Sequence, residues 1–156
     1  MPRVGSRFEV SSAHGALRWY GRGPHESYPD RRASAHLGIW TSTVDEQYHP
    51  FVVPQEHGAH ADTRWFDLLD DAGSGLRFTM ANAASFSARR HHDMALTSAS
   101  TTAELAMTDG PDTIEVHVDA AQRGLGTGAC GPDADPDHRI GAGEHRWRFT
   151  ITEVTP

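Results

Sequence analysis

Short runs in which polar and apolar residues alternate recur along the whole chain. Thr113–Asp119 is one of them, and it places Ile114, Val116 and Val118 on one face. A period of two residues is that of a β-strand with one buried face. Roughly nine or ten such segments, with turn residues every ~8–12 positions, predict an all-β fold, an antiparallel β-sandwich.

The clearest runs define the predicted strands. They are Arg7–Val10, Ala16–Tyr20, His36–Val44, Tyr48–Val53, Thr63–Leu68, Leu76–Met80, Ala103–Met107, Thr113–Asp119 and Glu144–Val154. A turn rich in Asp and Gly, residues 70–75, joins two of these strands into a predicted hairpin. In the last strand, Trp147, Phe149 and Ile151 share one face, and we expect that face to point to the core.

Few residues are expected outside strands and turns. Only His92–Ser100 is predicted to be helical, with Asp93 as its candidate cap. The longest predicted loop, residues 124–143, is rich in Gly, Pro and Asp.

The charged residues and the cysteine exclude several classes of site. The 156 residues include 14 arginines, no lysine and 21 acids, with a net charge of −7, so a nucleic-acid interface or a polybasic membrane anchor is not expected. The single cysteine, Cys130, excludes an internal disulfide and a zinc site built on several cysteines. No apolar run reaches the ~18–20 residues of a membrane helix, and the first residues lack a secretory apolar core. We therefore expect a cytoplasmic protein with one domain over residues 1–156.

Three segments are richer in Gly, Pro, aromatic and charged residues than a plain sandwich needs. They are Trp19–Arg31 (WYGRGPHESYPDR), Tyr48–Trp65 with its central Pro54-Gln55-Glu56, and Asp119–Pro132 (DAAQRGLGTGACGP). We refer to them as the first, second and third motifs.

In this order, the three motifs resemble the C-terminal part of the β-galactosidases of glycoside hydrolase family 2. The family pattern reads W-x-G-x-G-P-x-E-x-Y-x-D-R, then P-Q-E-x-G with D-x-R-W, then D-x-x-Q-x-G-L-G with C-G-P. The likeness runs from Val4 to Val154, and it is weakest over Arg89–Thr102 and Asp133–His138.

The resemblance implies an accessory role in an enzyme that hydrolyses terminal β-galactosides. In the family, the catalytic carboxylates and the Mg and Na ions lie on a (β/α)₈ barrel, for which this chain is too short. No catalytic residue and no cofactor are therefore expected here, and the chain alone should be inactive. It resembles half of a supersandwich related to galactose mutarotase. That domain packs on the barrel and lends the sugar site a loop, here at Cys130 and Gly131.

Two sets of motif residues have both a sugar-facing and a structural interpretation. Arginine–carboxylate pairs suit sugar hydroxyl groups, and they equally brace convoluted loops. The sets are Glu26, Tyr28, Asp30 and Arg31, and Gln55, Glu56, Arg64 and Trp65. The loop brace is favoured for the first set, and neither interpretation is favoured for the second. Trp65 itself is predicted to belong to the core.

A run of histidines has the spacing of metal ligands. On a strand, His60 and Asp62 would share a face and His57 would not. Because a zinc site needs three or four converging ligands, no metal site is predicted.

Two other functions stay open at this point. A free-standing carbohydrate-binding module would use Trp19, Tyr28, Arg64 and Trp65, and a mutarotase-like sugar epimerase would use a His–Glu acid–base pair. In the favoured function, the partners are a barrel-bearing remainder or large subunit and, through it, a galactoside. The unpaired strand edges of a half-sandwich also predict a homo-oligomer.

Overall fold

Antiparallel strands form one seven-stranded sheet in a computed structural model, which describes residues 1–106, 112–126 and 131–156. The strands are β1 (Arg3–Ser11), β2 (Ala16–Gly23), β3 (His36–Thr43), β4 (Ala59–Leu69), β5 (Gly75–Arg89), β6 (Thr113–Gln122) and β7 (Phe149–Val154). The order along the sheet is β1-β6-β5-β4-β2-β3, and β7 pairs with β5. The predicted all-β antiparallel fold is confirmed.

The sheet curls at β5, which pairs with two different strands along one of its edges. Residues 75–80 of β5 pair with β7, and residues 85–89 pair with β6. Between these two stretches, Thr63–Trp65 of β4 stands opposite the longer segment Thr79–Ala84 of β5. Such surplus residues make a strand bulge and bend, and the bend folds the two ends of the sheet towards each other.

The two ends share one hydrophobic core. Phe8 of β1 contacts Phe78 of β5 and Phe149 of β7, with ring centroids 5.8 and 5.6 Å apart, although β1 pairs with neither strand. Phe66 stacks between Phe78 and Phe86 at centroid distances of 4.5 and 4.2 Å. This two-layer packing agrees with the predicted antiparallel sandwich.

The side of the sheet that faces away from the core, which we call the outer face, contains a buried charge. Asp67 of β4 is fully buried and accepts hydrogen bonds from Arg18 and Arg77. Their guanidinium carbons lie 5.6 and 4.4 Å from the ring centroid of Trp65. Trp65 is thus a half-buried residue of the outer face, and its assignment to the core is wrong. Alternation separates Trp65 from Phe66 correctly, but it does not decide which of the two lies inside.

Helices are short and lie between β5 and β6. The first, α1 (Asp93–Ser98), falls within the predicted helix. Asp93 is its first residue rather than its cap, and its carboxylate accepts a hydrogen bond from Arg89. Turns of 3₁₀ helix occur at Asp45–Gln47 and Pro136–His138.

A second helix, α2 (Thr102–Ala106), replaces the strand predicted over residues 103–107, which is therefore wrong over its described part. The residues Thr101–Glu104 have the Thr-x-x-Glu spacing of a capping box, which marks the start of a helix. The alternation of polar and apolar residues over the same segment hides this signal. The Thr101 hydroxyl accepts the N–H of Glu104 at 3.2 Å. Among the described residues, no helix is long and apolar enough to cross a membrane.

The strand predicted at Tyr48–Val53 is also wrong. Pro50 has no N–H to give to a sheet ladder. The carbonyl of Phe51 instead accepts a hydrogen bond from the Thr102 hydroxyl at 2.8 Å, which ties this segment to α2.

The last strand is shorter than its alternating pattern. The ladder begins at Phe149 rather than at Glu144, because β7 pairs only with residues 75–80 of β5. Phe149 packs on the core, whereas Trp147 and Ile151 are exposed, so their predicted burial is wrong.

We expect Phe66→Ala to lower the free energy of unfolding by about 3–5 kcal/mol, because it removes a ring stacked between two other buried rings. Trp65→Ala should cost clearly less, since its ring lies on the half-exposed outer face. Urea unfolding followed by circular dichroism measures both variants. An equal or larger loss for Trp65→Ala would contradict this assignment of faces.

Candidate functional site

The first and third motifs meet at the carboxylate of Asp30. Its Oδ1 accepts the backbone N–H of Leu125 at 3.0 Å, and its Oδ2 accepts that of Gly126 at 2.7 Å. Hydrogen bonds to an ionised carboxylate are stronger than neutral ones. We call this arrangement the Asp30 clamp, and it fixes the start of the glycine-rich loop of the third motif.

Two glycines allow the clamp to close. A Cβ atom at Gly124 would lie 2.5 Å from the Asp30 carboxylate, so any larger residue there would push the carboxylate away. Gly126 has a φ of +62°, a left-handed conformation that residues with a side chain seldom adopt. The spacing of these glycines therefore follows from the close approach of the loop to Asp30.

Glu26 and Arg31 brace the neighbouring loop of the first motif. The Glu26 carboxylate pairs with Arg31 and also accepts the backbone N–H of Gly58 at 2.8 Å. Tyr28, between them in sequence, is fully buried. These are the contacts of a loop brace, the interpretation favoured from the sequence.

Glu56 links the second motif to the third. Its carboxylate pairs with Arg3 and, at 3.3 Å, with Arg89, and it accepts the side-chain amide of Gln122 at 3.4 Å. Arg3 also donates to Asp119 at 3.3 Å. All three motifs are thus tied together by carboxylates, and two arginines outside the motifs complete the network.

Alternate residues of β6 supply the buried polar side of this network. Glu115, His117 and Asp119 share one face of the strand, and all three are buried. Burial raises the pKa of Asp119 to about 6, and Arg3 offsets part of that rise. Burial also opposes the charge on Glu115, but His117, a backbone N–H and Arg89 outweigh it and lower the pKa of Glu115 to about 2.

One group of side chains has the composition of a metal site. Single ligand atoms of Asp93, Glu115 and His117 lie within 4.8 Å of one another, the one such group found among the described residues. The fully buried Arg89 donates to both carboxylates of this group. Because Arg89 already supplies the positive charge that a cation would bring, these residues form an ion-pair network.

A cleft of about 210 Å³ opens beside the network. Arg3, Glu56 and Gln122 line it, together with Gly124 and Leu125 of the third motif. Since the Asp30 clamp holds Leu125, the same carboxylate positions the glycine-rich loop and this part of the cleft.

The other predicted site residues are not brought together. Gln55 is half-buried before β4, and Arg64 lies on the outer face, with its guanidinium carbon 5.4 Å from the ring centroid of Tyr20. The second motif therefore forms no single polar set around Trp65. Gly131 is exposed, and Cys130 lies outside the described residues.

The alternative of a free-standing carbohydrate-binding module is not favoured. Trp19 and Tyr28 are 1% and 0% exposed, so neither ring offers a surface to a sugar. Trp19 instead lies 4.3 Å from the buried ring of His60, centroid to centroid.

Among the described residues, His57, His60 and Asp62 do not form a group with metal-ligand spacing. His60 contacts the carbonyl oxygen of Arg22 and the side chain of Gln47, and His57 contacts the carbonyl oxygen of Gln47. Asp62, with a φ of 54°, occupies a β-bulge and turns its carboxylate to Arg22. The bulge breaks the alternation from which a shared face for His60 and Asp62 was expected.

Sequence reasoning missed Arg3 and Arg89, although both hold the network together. Arg3 lies 53 and 116 residues from its partners Glu56 and Asp119. Pairs so distant leave no local pattern, and only the sheet order brings them into contact.

Comparison with known proteins gives a consistent picture. Residues 1–152 match the family model of the β-galactosidase small chain. A β-galactosidase of Arthrobacter sp. (strain B7) is 36% identical over 145 residues, which cover 89% of this chain and 14% of that protein. A β-galactosidase of Streptococcus thermophilus is 37% identical over 126 residues, 80% of this chain and 12% of that protein. The chain thus spans about one seventh of the first relative and about one eighth of the second. The mutarotase-like alternative is not favoured.

Replacing Asp30 by Asn should release one of the two loop contacts, because an amide has a single acceptor oxygen. We expect the amide hydrogen that loses its acceptor, of Leu125 or of Gly126, to exchange at least about tenfold faster, the equivalent of about 1.4 kcal/mol. Hydrogen exchange measured by NMR on the chain resolves both amides. Asp71→Asn, an exposed turn position, is the matched control, and equal exchange in both variants would contradict the clamp.

Acidification from pH 6.5 to 5 should destabilise the chain through His57. Burial lowers the pKa of His57 to about 4 in the folded state, so the unfolded state binds a proton first as the pH falls. This difference in proton binding lowers the free energy of unfolding by up to about 2 kcal/mol over this range.

Urea unfolding at several pH values measures this effect. We expect His57→Gln to reduce the loss of stability below pH 6.5 by about half, because burial also lowers the pKa of His60 to about 4 and that contribution remains. The exposed His36→Gln serves as the control for losing a histidine. An unchanged slope in His57→Gln would show that another group governs acid sensitivity. Asp119 acts in the opposite sense, because its raised pKa favours folding at low pH and that contribution is lost as the pH rises through about 6.

Proposed function

The chain belongs to the β-galactosidase small-chain family, and from this membership we propose that it is the accessory β-sandwich part of a larger enzyme that hydrolyses terminal β-galactosides. In this role it buttresses a catalytic barrel and shapes the sugar site. It forms one structural unit over residues 1–156.

The Asp30 clamp is the observation that carries this proposal. It fixes Leu125 and Gly126, a few residues before Cys130 and Gly131, which are the proposed sugar-lining positions. A loop that lends its backbone and small side chains to a sugar site needs a rigid base, because misplacement of a positioning group by about 1 Å can cost 10²-fold in rate. The clamp supplies that base from a different part of the chain.

The chemistry itself belongs to the catalytic part. Hydrolysis of a glycosidic bond uses two carboxyl groups ~5–9.5 Å apart on either side of the bond. In this chain, the carboxylates of Glu26 and Asp30 are engaged by backbone N–H groups, and Glu26 also by Arg31. As the resemblance to the family implies, the proposal assigns the catalytic carboxylates and the Mg and Na ions to the barrel, and this chain contributes loop position only.

The proposed partners follow from the same role. They are the barrel-bearing remainder or large subunit of a β-galactosidase and, through it, the galactoside substrate. The complete enzyme would be a cytoplasmic homo-oligomer.

Reconstitution tests the proposal. The β-galactosidase of Arthrobacter sp. (strain B7), with its own matching segment deleted, provides a catalytic remainder that lacks this part. We expect neither this remainder nor the present chain to hydrolyse a nitrophenyl β-galactoside alone, and the mixture to do so. Activity of the isolated chain, or an inactive mixture, would overturn the proposal.

Asp30→Ala examines the clamp within the reconstituted enzyme. We expect a decrease of about tenfold or more in kcat/KM, because the loop loses both contacts that position it. Asp71→Asn should leave kcat/KM unchanged, since its side chain lies in the exposed turn between β4 and β5.

A further inference from the structure

The outer face has the composition of a protein interface. On this side of β2, β3 and β4, cross-strand pairing places Arg18 beside Asp67 and places Tyr20 between Trp65 and Ile39. Arg, Trp and Tyr are enriched at the energetic centres of protein interfaces. The core lies on the opposite side of these strands, so the outer face is not needed to close the hydrophobic core.

This face is held in one conformation before any partner arrives. Arg18 and Arg77 make four hydrogen bonds to Asp67, with donor–acceptor distances of 2.7–2.9 Å. The same two guanidinium groups lie over Trp65 and fix its ring. A preorganised surface loses little side-chain entropy on binding.

Apolar side chains border the arginines. Ile39 and Leu37 of β3 are 65% and 47% exposed, and they pair with Tyr20 and Arg22 across the sheet. Both point away from the core, and β3 is the last strand on its side of the sheet. Together with Trp65 and Tyr20, these residues give the face contiguous aromatic and apolar area beside its arginines, which is the composition of interface centres.

Charge decides what kind of surface this face accepts. Its arginines outnumber its carboxylates by two, whereas the whole chain has a net charge of −7. The arginines are Arg18, Arg22, Arg64 and Arg77, and the carboxylates are Asp62 and Asp67. A second copy using the same face would oppose like charges in a twofold arrangement, which is unfavourable. An acidic surface is the complementary partner.

We propose that the outer face, centred on Trp65 and bordered by Ile39, binds an acidic surface of the catalytic remainder of the enzyme. The inference rests on the proposed function. The segment accounts for about 14% of the length of the Arthrobacter relative, so a much larger part of the protein is available to cover this face. The Asp30 clamp then positions a loop, while the outer face provides the affinity.

Binding to the Arthrobacter remainder, measured by calorimetry, tests this proposal. Ile39→Glu and Leu37→Glu place acid opposite acid on the bordering apolar positions, and we expect each to weaken binding at least tenfold. Val52→Glu is the matched control, because Val52 is 88% exposed in a different segment. Its binding should stay within twofold of the unmodified chain, and added salt should weaken binding of the unmodified chain.

The outcomes separate the two proposals. If the unmodified chain does not bind, the proposed function fails and this inference fails with it. If the chain binds and the two β3 variants bind equally well, or Val52→Glu is equally impaired, this inference alone is overturned. A self-associated chain that Ile39→Glu dissociates would identify the occupant as a second copy and overturn it too.

A second measurement needs no variant of the chain. In the complex with the remainder, the backbone amides of β3 should exchange more slowly than in the free chain, because the last strand of the sheet becomes covered. Unchanged exchange throughout β3 in a complex that forms would overturn the proposal.

Discussion

Buried carboxylates must have cationic partners, and the sheet order supplies them. Removing a charge from water costs several kcal/mol unless it is paired and hydrogen-bonded. Asp67, Glu115 and Asp119 are each buried within strands, and each meets an arginine from elsewhere in the sheet. A slip of one residue in register would move these carboxylates to the wrong face, so the ion pairs and the hydrophobic core specify the same register.

The same pairing rule explains why three separate motifs form one structural unit. Carboxylates of the first and second motifs reach the third, directly through Asp30 and through Arg3 from Glu56. A fully apolar junction would fill the same space, but it would not select the backbone N–H groups of one particular loop. The polar junction therefore gives positional specificity rather than stability alone, which suits a segment whose proposed role is to hold a loop in place.

Alternation predicted the strands that have one buried and one solvent-facing side and a regular ladder partner, such as β2 and β3. It failed where the partner was irregular, as before Phe149, where β5 bulges and offers no continuous ladder. It also failed to orient Trp65, because a tryptophan held by two arginines has the same local pattern as a core tryptophan. The resemblance to a family identified the motifs, but not Arg3 or Arg89, since their contacts depend on the three-dimensional neighbourhood and not on nearby sequence.

The Asp30 clamp has an evolutionary consequence, because it recognises only main-chain groups. Any residue except proline provides an N–H donor at position 125, so this position, and the positions after Gly126, can be exchanged without removing the two contacts to Asp30. The contacts that anchor the loop and the side chains that the loop presents can therefore change independently. If the loop lines the sugar site as proposed, single substitutions, at Cys130 for example, would change the side chains presented there and leave the scaffold unchanged.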